Sequence, residues 1–512
     1  MNLLKRVSRG ILWGQLGRAA EVGLFGLLSF MLARKMGPSS YGVFSLGASL
    51  VAFFGFLALV GIGQETLAKF VPEAAAGRYP GGAARLTAHL LSLRLAAIAV
   101  VCIGALLAGG RIEHRLGVTG FRHYLGILLL VFILRSIADL FSCVFSALLR
   151  LRVVAGGRVV VPATALLLVL VVAWRGESID PGIAFRALAI GQCMGLAVIL
   201  LAWQGCKLTV DPEFSGTPAP LRRVLSFGLY TWLAGLFIFV LSDRIDVLLL
   251  GWLLKDPKAV GWYAVGATLV FQSTGLTTAW LPLVGMSTLS NAYLEAGPAG
   301  LAQVGEALWK IIAVSLVPVM VFLVRFSKEV VVLLYSTQFV LSAPVVQTLG
   351  LLLGLSAIVG FGLQAGMLYI LGHPKTACAI FAASAALNIV LAFPLIHRFG
   401  IVGAAAATGG AFLLFSLLSA RVARARCRVR TPWSFLFKVV SASAAAAGVS
   451  LLLKPYILSS FAVAGFIWIG VLLLCLWLMK PLTRVDSQHL SRVSQPLGWL
   501  AGRLFVRVPT SE

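Results

Sequence analysis

The stretch YGVFSLGASLV at Tyr41–Val51 has a counterpart in VGWYAVGATLV at Val260–Val270. The two segments lie 219 residues apart, and their common register extends back to Pro38 and Pro257. The glycines that keep this register are Gly42, Gly47, Gly261 and Gly266. A shared proline and two shared glycines in one register indicate an internal repeat. We therefore predict that one structural unit occurs twice in the chain.

The composition is typical of a polytopic membrane protein. Of the 512 residues, 60% are hydrophobic and 12% are charged, and the mean hydropathy is +0.99. Soluble globular proteins have about 45–50% apolar and about 25% charged residues. Apolar runs long enough to cross a bilayer as helices predict about fourteen spans. They lie at 10–33, 41–63, 87–109, 123–148, 155–174, 182–204, 225–253, 260–285, 307–325, 341–371, 376–397, 400–420, 433–453 and 457–479.

The net charge of +25 reflects the distribution of basic residues around these spans. In a soluble chain it would suggest a nucleic-acid partner, but most Lys and Arg stand between apolar runs. If the N-terminus is cytoplasmic, the cytoplasmic loops hold about twice as many Lys and Arg as the opposite loops. We therefore predict cytoplasmic termini, contact with anionic membrane lipids and no nucleic-acid partner. The scattered cysteines and histidines predict no metal site and no cofactor.

A polar stretch divides the chain into two similar halves. CKLTVDPEFSGTPAPLRR at Cys206–Arg223 has the Pro, Gly and Ser content of a linker. Six spans precede it and eight follow. If the first six of those eight form the second copy, the two copies are parallel because six is even, and substrate would bind at their interface. We predict an all-α polytopic membrane protein of two parallel six-helix lobes plus two extra C-terminal helices. The predicted divisions are an N-terminal lobe 1–205, a cytoplasmic linker 206–224, a C-terminal lobe 225–425, two extra transmembrane helices 426–481 and a cytoplasmic tail 482–512.

Several stretches are similar to one protein family. LARKMGPSSYGVFSLGASLVAFFGFLALVGIGQETLAKFVPE at Leu32–Glu73 resembles the start of bacterial polysaccharide transporters and lipid-linked oligosaccharide flippases. These proteins belong to the multidrug/oligosaccharidyl-lipid/polysaccharide exporter superfamily. Later stretches with the same resemblance are Asp243–Val270, Leu333–Ser356 and Ala386–Thr408. One departure is Ser336, which stands where a glycine often follows the tyrosine.

The resemblance implies a transporter and not an enzyme. It implies that undecaprenyl-diphosphate-linked oligosaccharide is moved from the cytoplasmic to the outer leaflet of the bacterial inner membrane by alternating access. The expected energy source is a gradient of H⁺ or Na⁺ or the membrane potential, because the chain has no Walker motif. A monomer suffices for a cavity within one chain. The polysaccharide polymerase and export machinery are candidate partners.

Charged residues within the predicted spans are the candidate substrate-binding residues. An ionised group at membrane depth costs a few kcal/mol or more and is functional by default. The residues are Arg18, Glu21, Arg94, Arg135, Asp139, Asp243, Arg244 and Asp246. Arginine presents a forked donor that matches phosphate oxygens, so these side chains predict a cationic cavity for a diphosphate. The carboxylates would pair with the arginines when substrate is absent, or carry a coupling cation; Arg18 is the first candidate.

Structural alternatives exist for five of these charges. Arg94 could snorkel to a membrane interface. Arg135 and Asp139, four residues apart, could form a local pair that only neutralises itself. Asp243 and Asp246 could lie at the aqueous end of a long span.

Three other functions remain open at this point. A cation-coupled multidrug exporter of the same superfamily would need more acidic than basic groups in its cavity, and the spans hold more arginines than carboxylates. A flippase for a peptidoglycan lipid precursor would use the same chemistry on a different sugar. A membrane glycosyltransferase or polymerase would need an acidic motif in a large loop, which the sequence lacks.

Overall fold

A computed structural model describes residues 3–75, 82–204, 221–278, 281, 285–451 and 458–480. Within these ranges the chain forms sixteen α-helices and one 3₁₀ segment at Thr337–Ser342, and no strand occurs there. The helices are α1 (Leu3–Leu57), α2 (Gln64–Glu73), α3 (Gly82–Leu116), α4 (Phe121–Ala147), α5 (Leu151–Trp174), α6 (Pro181–Gln204), α7 (Leu221–Val240), α8 (Asp243–Leu254), α9 (Pro257–Thr278), α10 (Met286–Arg325), α11 (Ser327–Leu334), α12 (Ala343–Val359), α13 (Leu363–Ile370), α14 (Pro374–Cys427), α15 (Trp433–Leu451) and α16 (Leu458–Met479).

Most of the helices have the length and apolarity of membrane spans. Ten helices in the described part of the chain could cross a bilayer by these two criteria. The prediction of an all-α polytopic membrane protein is confirmed. The number of fourteen spans stays a prediction, because α1 and α14 are each more than 50 residues long and contain a break.

Glycines break the two longest helices where the sequence predicts a boundary between spans. Gly37 in α1 has φ 73° and ψ 174°, and Gly400 in α14 has φ 57° and ψ −129°. Backbone conformations with φ in this range are readily adopted by glycine alone. The first break falls between predicted spans 10–33 and 41–63, and the second falls near the boundary between 376–397 and 400–420. Each long helix therefore consists of two arms.

The helix boundaries repeat at the offset that the sequence shows. Adding 219 to the bounds of α2 gives 283–292, which overlaps the first arm of α10, before its break at Ala296–Gly297. The same addition places α3 on the second arm of α10 together with α11. It also places α6 on the second arm of α14, which follows Gly400. One register therefore relates the helices of the two copies from end to end.

Gly42 and Gly261, which are aligned in the repeat, each pack against the start of the helix or arm that contains the other. A Cβ atom at Gly42 would collide with the carbonyl oxygen of Pro257, and one at Gly261 would collide with that of Pro38. The contact is therefore reciprocal, and it joins the second arm of α1 to α9. Small residues permit this close approach of two helix backbones. Glycine at these two positions therefore permits the close helix packing.

Two predicted spans are discontinuous in the structure. The span predicted at 225–253 is α7 and α8, interrupted at Leu241–Ser242. Ser242 at the N-cap has extended backbone and its hydroxyl donates to the carbonyl oxygen of Phe239 at 2.6 Å, and Asp243 in the first turn of α8 complements the helix dipole. The span predicted at 341–371 is α12 and α13, because Gly360, Phe361 and Gly362 all have positive φ.

The chain groups into two compact units. The first is Met1–Val265 with Ala392–Ala404, and the second is Gly266–Leu391 with Ala405–Glu512. All eight predicted site residues belong to the first unit. Most of the predicted linker 206–224 and all of the predicted tail 482–512 lie outside the described residues. The predicted domain boundaries therefore stay a prediction.

A hydrophobic cluster in the first unit packs α2, α3 and α4 together. Its buried members include Leu67 and Phe70 of α2, Leu90 of α3, and Leu140 and Val144 of α4. The cluster fixes the first half of α3 beside the end of α1. This arrangement determines the position of Arg94, which lies one turn beyond Leu90.

Candidate functional site

Arg18 and Glu21 form an ion pair in the middle of the first arm of α1. Their Nη1 and Oε2 atoms are 3.0 Å apart, and the Arg18 side chain is 55% exposed. At 1.5 Å per residue, Arg18 lies about 22 Å from Leu3 and about 27 Å from Met36. An exposed ion pair at that depth requires water, because lipid would not solvate it. The pair therefore indicates an aqueous surface along this arm.

Arg135 and Asp139 form a second pair in the middle of α4. Nε of Arg135 is 3.7 Å from Oδ2 of Asp139, and the two side chains are 51% and 55% exposed. α1 and α4 pack against each other within the first unit. The pair closes within its own helix, as the local alternative proposed. Its exposure nevertheless leaves both side chains accessible to a ligand.

The break between α7 and α8 carries the third group of charges. Asp243 and Arg244 begin α8, with Oδ1 and Nε 3.9 Å apart. Asp246 is fully buried, and its Oδ2 accepts a hydrogen bond from the hydroxyl of Tyr263 in α9. These residues directly follow α7, which is itself long and apolar enough to cross a bilayer, so the alternative that they lie at the aqueous end of a span stays a prediction. Broken membrane helices of this kind often border substrate sites in transporters.

Arg94 has a different environment from the exposed pairs. Its residue exposure is 2%, and Nη1 donates hydrogen bonds to the carbonyl oxygens of Ala58 at 3.2 Å and Ile62 at 3.5 Å. These carbonyls follow the end of α1, where backbone acceptors lack helical partners. Arg94 therefore does not snorkel to an interface; it caps the end of α1 inside the protein.

Two residues that the sequence analysis missed hold the same end of α1. Trp232 of α7 donates from Nε1 to the carbonyl oxygen of Phe56 at 3.1 Å. Thr66 of α2 donates to the carbonyl oxygen of Gly61 at 2.8 Å. Gly61 and Gly228 are in contact through their backbones, so that a Cβ on either would collide with the other. α2, α3 and α7 therefore all fix the segment that ends α1.

The sequence contained a signal for the break between α7 and α8, although these helices were predicted as one span. Ser242 followed by Asp243 is a pattern typical of a helix start, and it marks the break between α7 and α8. Tyr263 lies inside the repeated stretch, but its pairing with Asp246 depends on how α8 packs against α9. No pattern of spacing shows that contact.

The duplicated helical unit, the broken spans and the paired charges at membrane depth define a multi-pass membrane transporter. A family model described as polysaccharide biosynthesis protein matches residues 31–344. This match covers more than half of the chain, and the chain belongs to that family.

A curated relative and two solved structures are similar to the chain. The probable low-salt glycan biosynthesis flippase Agl15 of Haloferax volcanii is 25% identical over 404 residues, which cover 76% of this chain and 77% of the relative. The lipid II flippase MurJ, in an inward closed conformation, has a TM-score of 0.71 at 15% identity and covers 92% of this chain and 97% of its own. An inward-facing multidrug resistance MATE family transporter of the MOP superfamily has a TM-score of 0.63 at 18% identity, over 80% and 94%. The chain has the fold of these transporters.

Proposed function

We propose that the protein is a flippase that moves a lipid-diphosphate-linked oligosaccharide from the cytoplasmic to the outer leaflet by alternating access. The family match and the name of the relative Agl15 support a glycan flippase. The observation that carries the proposal is the exposed Arg18–Glu21 pair in the middle of a membrane-spanning arm. A charge pair at that position is suited to an anionic headgroup that has to cross the bilayer.

The diphosphate would bind by exchanging partners with the carboxylates. Arg18 is held by Glu21 through a single ion pair, which leaves other donors of its guanidinium available. A phosphate can take two parallel hydrogen bonds from one guanidinium and carries more charge than a carboxylate. The diphosphate therefore displaces Glu21 from Arg18, and Asp139 from Arg135 in the same way.

The displaced carboxylates would provide the coupling to an ion gradient. An ion gradient that runs into the cell drives substrate outward only if ion and substrate occupy the site in alternation. Glu21 would therefore carry H⁺ or Na⁺ on the return step, after the substrate has left on the outer side. Release of the ion in the cytoplasm would restore the pair with Arg18, from which the next diphosphate displaces Glu21.

The proposal includes a topology. Both termini would lie in the cytoplasm and the protein would reside in the inner membrane as a monomer, since the candidate residues belong to one unit of one chain. The excess of Lys and Arg in loops on one side supports this orientation. Polymerase and export proteins of the same pathway would then receive the sugar on the outer side.

Transport in proteoliposomes tests the proposal. The substrate is undecaprenyl-diphosphate oligosaccharide, and the variants are Arg18→Gln and Glu21→Gln. Arg175→Gln serves as the matched control, because Arg175 is an exposed residue at the end of α5. We expect the wild type and Arg175→Gln to transport the lipid, and Arg18→Gln to be slowed by about tenfold or more, as for the loss of a charged hydrogen bond.

The same vesicles separate the remaining candidates. If the protein ignores the lipid diphosphate and extrudes an organic cation against a H⁺ or Na⁺ gradient, the multidrug-exporter function replaces the proposal. If it transports only a peptidoglycan lipid precursor, the cationic site stands and the sugar assignment changes.

A further inference from the structure

The second unit contains a cavity far along the chain from the charges of α1 and α4. Its volume is about 670 Å³, and it lies between the break of α10 and the end of α14. One wall is the start of the second arm of α10, where alanines and a proline are followed by Gln303 and Glu306. The other wall carries Arg426, Arg428 and Arg430.

The three arginines are held in place by the backbone that carries them. Cys427 and Val429, which alternate with them, are 5% and 4% exposed, whereas all three arginines are exposed. The buried side chains anchor this segment against the protein. The arginines therefore project from a fixed segment, which lowers the entropy lost when they bind a ligand.

The charge of the cavity favours an anion. Its single carboxylate, Glu306, is paired with Lys310 at 3.1 Å, so its repulsion of an anion is offset within α10. The second arm of α10 also begins here, and the positive end of its dipole adds to the three arginines. Arginine forks bind phosphate oxygens in pairs.

The position of the cavity favours a lipid over a soluble ion. The second arm of α10 runs from Pro298 to Arg325, which is about 42 Å at 1.5 Å per residue. The hydrocarbon core of a bilayer is about 30 Å thick, so the start of this arm reaches the headgroup layer. The wall of alanine and proline offers an apolar surface to the glycerol and the first acyl carbons.

We propose that this cavity binds the phosphate headgroup of an anionic phospholipid, with Arg426, Arg428 and Arg430 around the phosphate. The bound lipid joins the break of α10 to the end of α14. The site is independent of the flippase substrate, since it uses none of the charges of the first unit. Basic pockets beside membrane helices are known to bind anionic headgroups.

Lipid binding to the purified full-length protein tests the site. The probes are phosphatidylglycerol, phosphatidylcholine and inorganic phosphate, and bound lipid is measured by native mass spectrometry and by the melting temperature. The variant is Arg426→Gln/Arg430→Gln. Its matched control is Arg421→Gln/Arg424→Gln, which removes two charges from the same helix end but from outside the cavity.

We expect phosphatidylglycerol to bind and to raise the melting temperature, and phosphatidylcholine to have neither effect. The Arg426→Gln/Arg430→Gln variant should bind phosphatidylglycerol about 30-fold more weakly, at the usual contribution of a basic residue near a membrane surface. The control should bind as the wild type does. The proposal is overturned if both double variants bind phosphatidylglycerol equally weakly. It is also overturned if inorganic phosphate raises the melting temperature as much as phosphatidylglycerol does. If the double variant does not fold, Arg430→Gln alone replaces it, with Arg424→Gln as control.

Discussion

The two copies of the repeated unit share their helices and do not share their charges. At the offset of 219 residues, every predicted site residue of one copy is aligned with an uncharged residue of the other. The counterparts of Arg18, Glu21, Arg94, Arg135 and Asp139 are Phe237, Val240, Ala313, Gly354 and Ile358. The counterparts of Asp243, Arg244 and Asp246 are Leu24, Phe25 and Leu27. The residues that the two copies share include the glycines and prolines that determine the backbone conformation.

This difference separates two requirements on the sequence. Helix starts and close backbone contacts have to recur in each copy, because both copies form the same unit. Charges at membrane depth are costly and are retained only where they contribute to function or to structure. The duplication therefore determines the scaffold, whereas each charge of the site is present in one copy only and has no charged counterpart in the other. Substitutions at shared and unshared positions should have correspondingly different effects.

The largest effect is expected at a shared position. Gly42→Leu places a side chain against the carbonyl oxygen of Pro257, and backbone on both sides leaves no room to adjust. We expect a loss of about 3 kcal/mol or more of stability, at the upper end for overpacked sites. Protein yield and the melting temperature in detergent measure it.

Gly55→Leu is the control for that substitution. Gly55 lies in the same arm of α1, and a Cβ there meets nothing within 4 Å. This variant should melt within a few degrees of the wild type. A Gly42→Leu protein as stable as Gly55→Leu would show that the reciprocal contact with Gly261 does not hold the two copies' helix starts together.

The next effect tests an unshared charge with a structural role. Arg94→Met leaves the carbonyls of Ala58 and Ile62 without their donor, and we expect a loss of about 2 kcal/mol. Ala313, which is aligned with Arg94 in the other copy, is fully buried and has no side-chain donor for a backbone carbonyl. The melting temperature of the purified protein measures the change, and Arg94→Lys should restore part of it.

Arg135→Gln is the matched comparison, because Arg135 is exposed and closes a pair only within α4. It should leave the melting temperature unchanged and slow transport. If Arg94→Met melts as the wild type does and abolishes transport, Arg94 binds substrate and its capping contacts are secondary.

The sequence predicted the scaffold better than the site, for reasons that particular residues show. Local chemistry determines the breaks at Gly37 and Gly400, so the spans around them could be predicted. The spacing of Arg18 and Glu21, three residues apart on a helix, predicted their pairing. The capping role of Arg94 depends on how α3 packs against the end of α1, and the contact of Asp246 with Tyr263 joins two helices. Contacts between helices leave no trace in local spacing.

The smallest effect is expected where one copy departs from the shared geometry. Ser336 has φ 119° and ψ 171°, a region that glycine alone adopts readily, and its counterpart Gly117 also has positive φ, at 65°. Ser336→Gly should therefore stabilise the protein by about 1 kcal/mol, because it relieves this strain. Ser336→Ala keeps the Cβ and should give no gain, and the two melting temperatures are compared directly. Equal melting temperatures for the two variants would mean that the serine is not strained. A gain confined to glycine would show that the second copy retains a backbone conformation suited to glycine although its sequence has diverged.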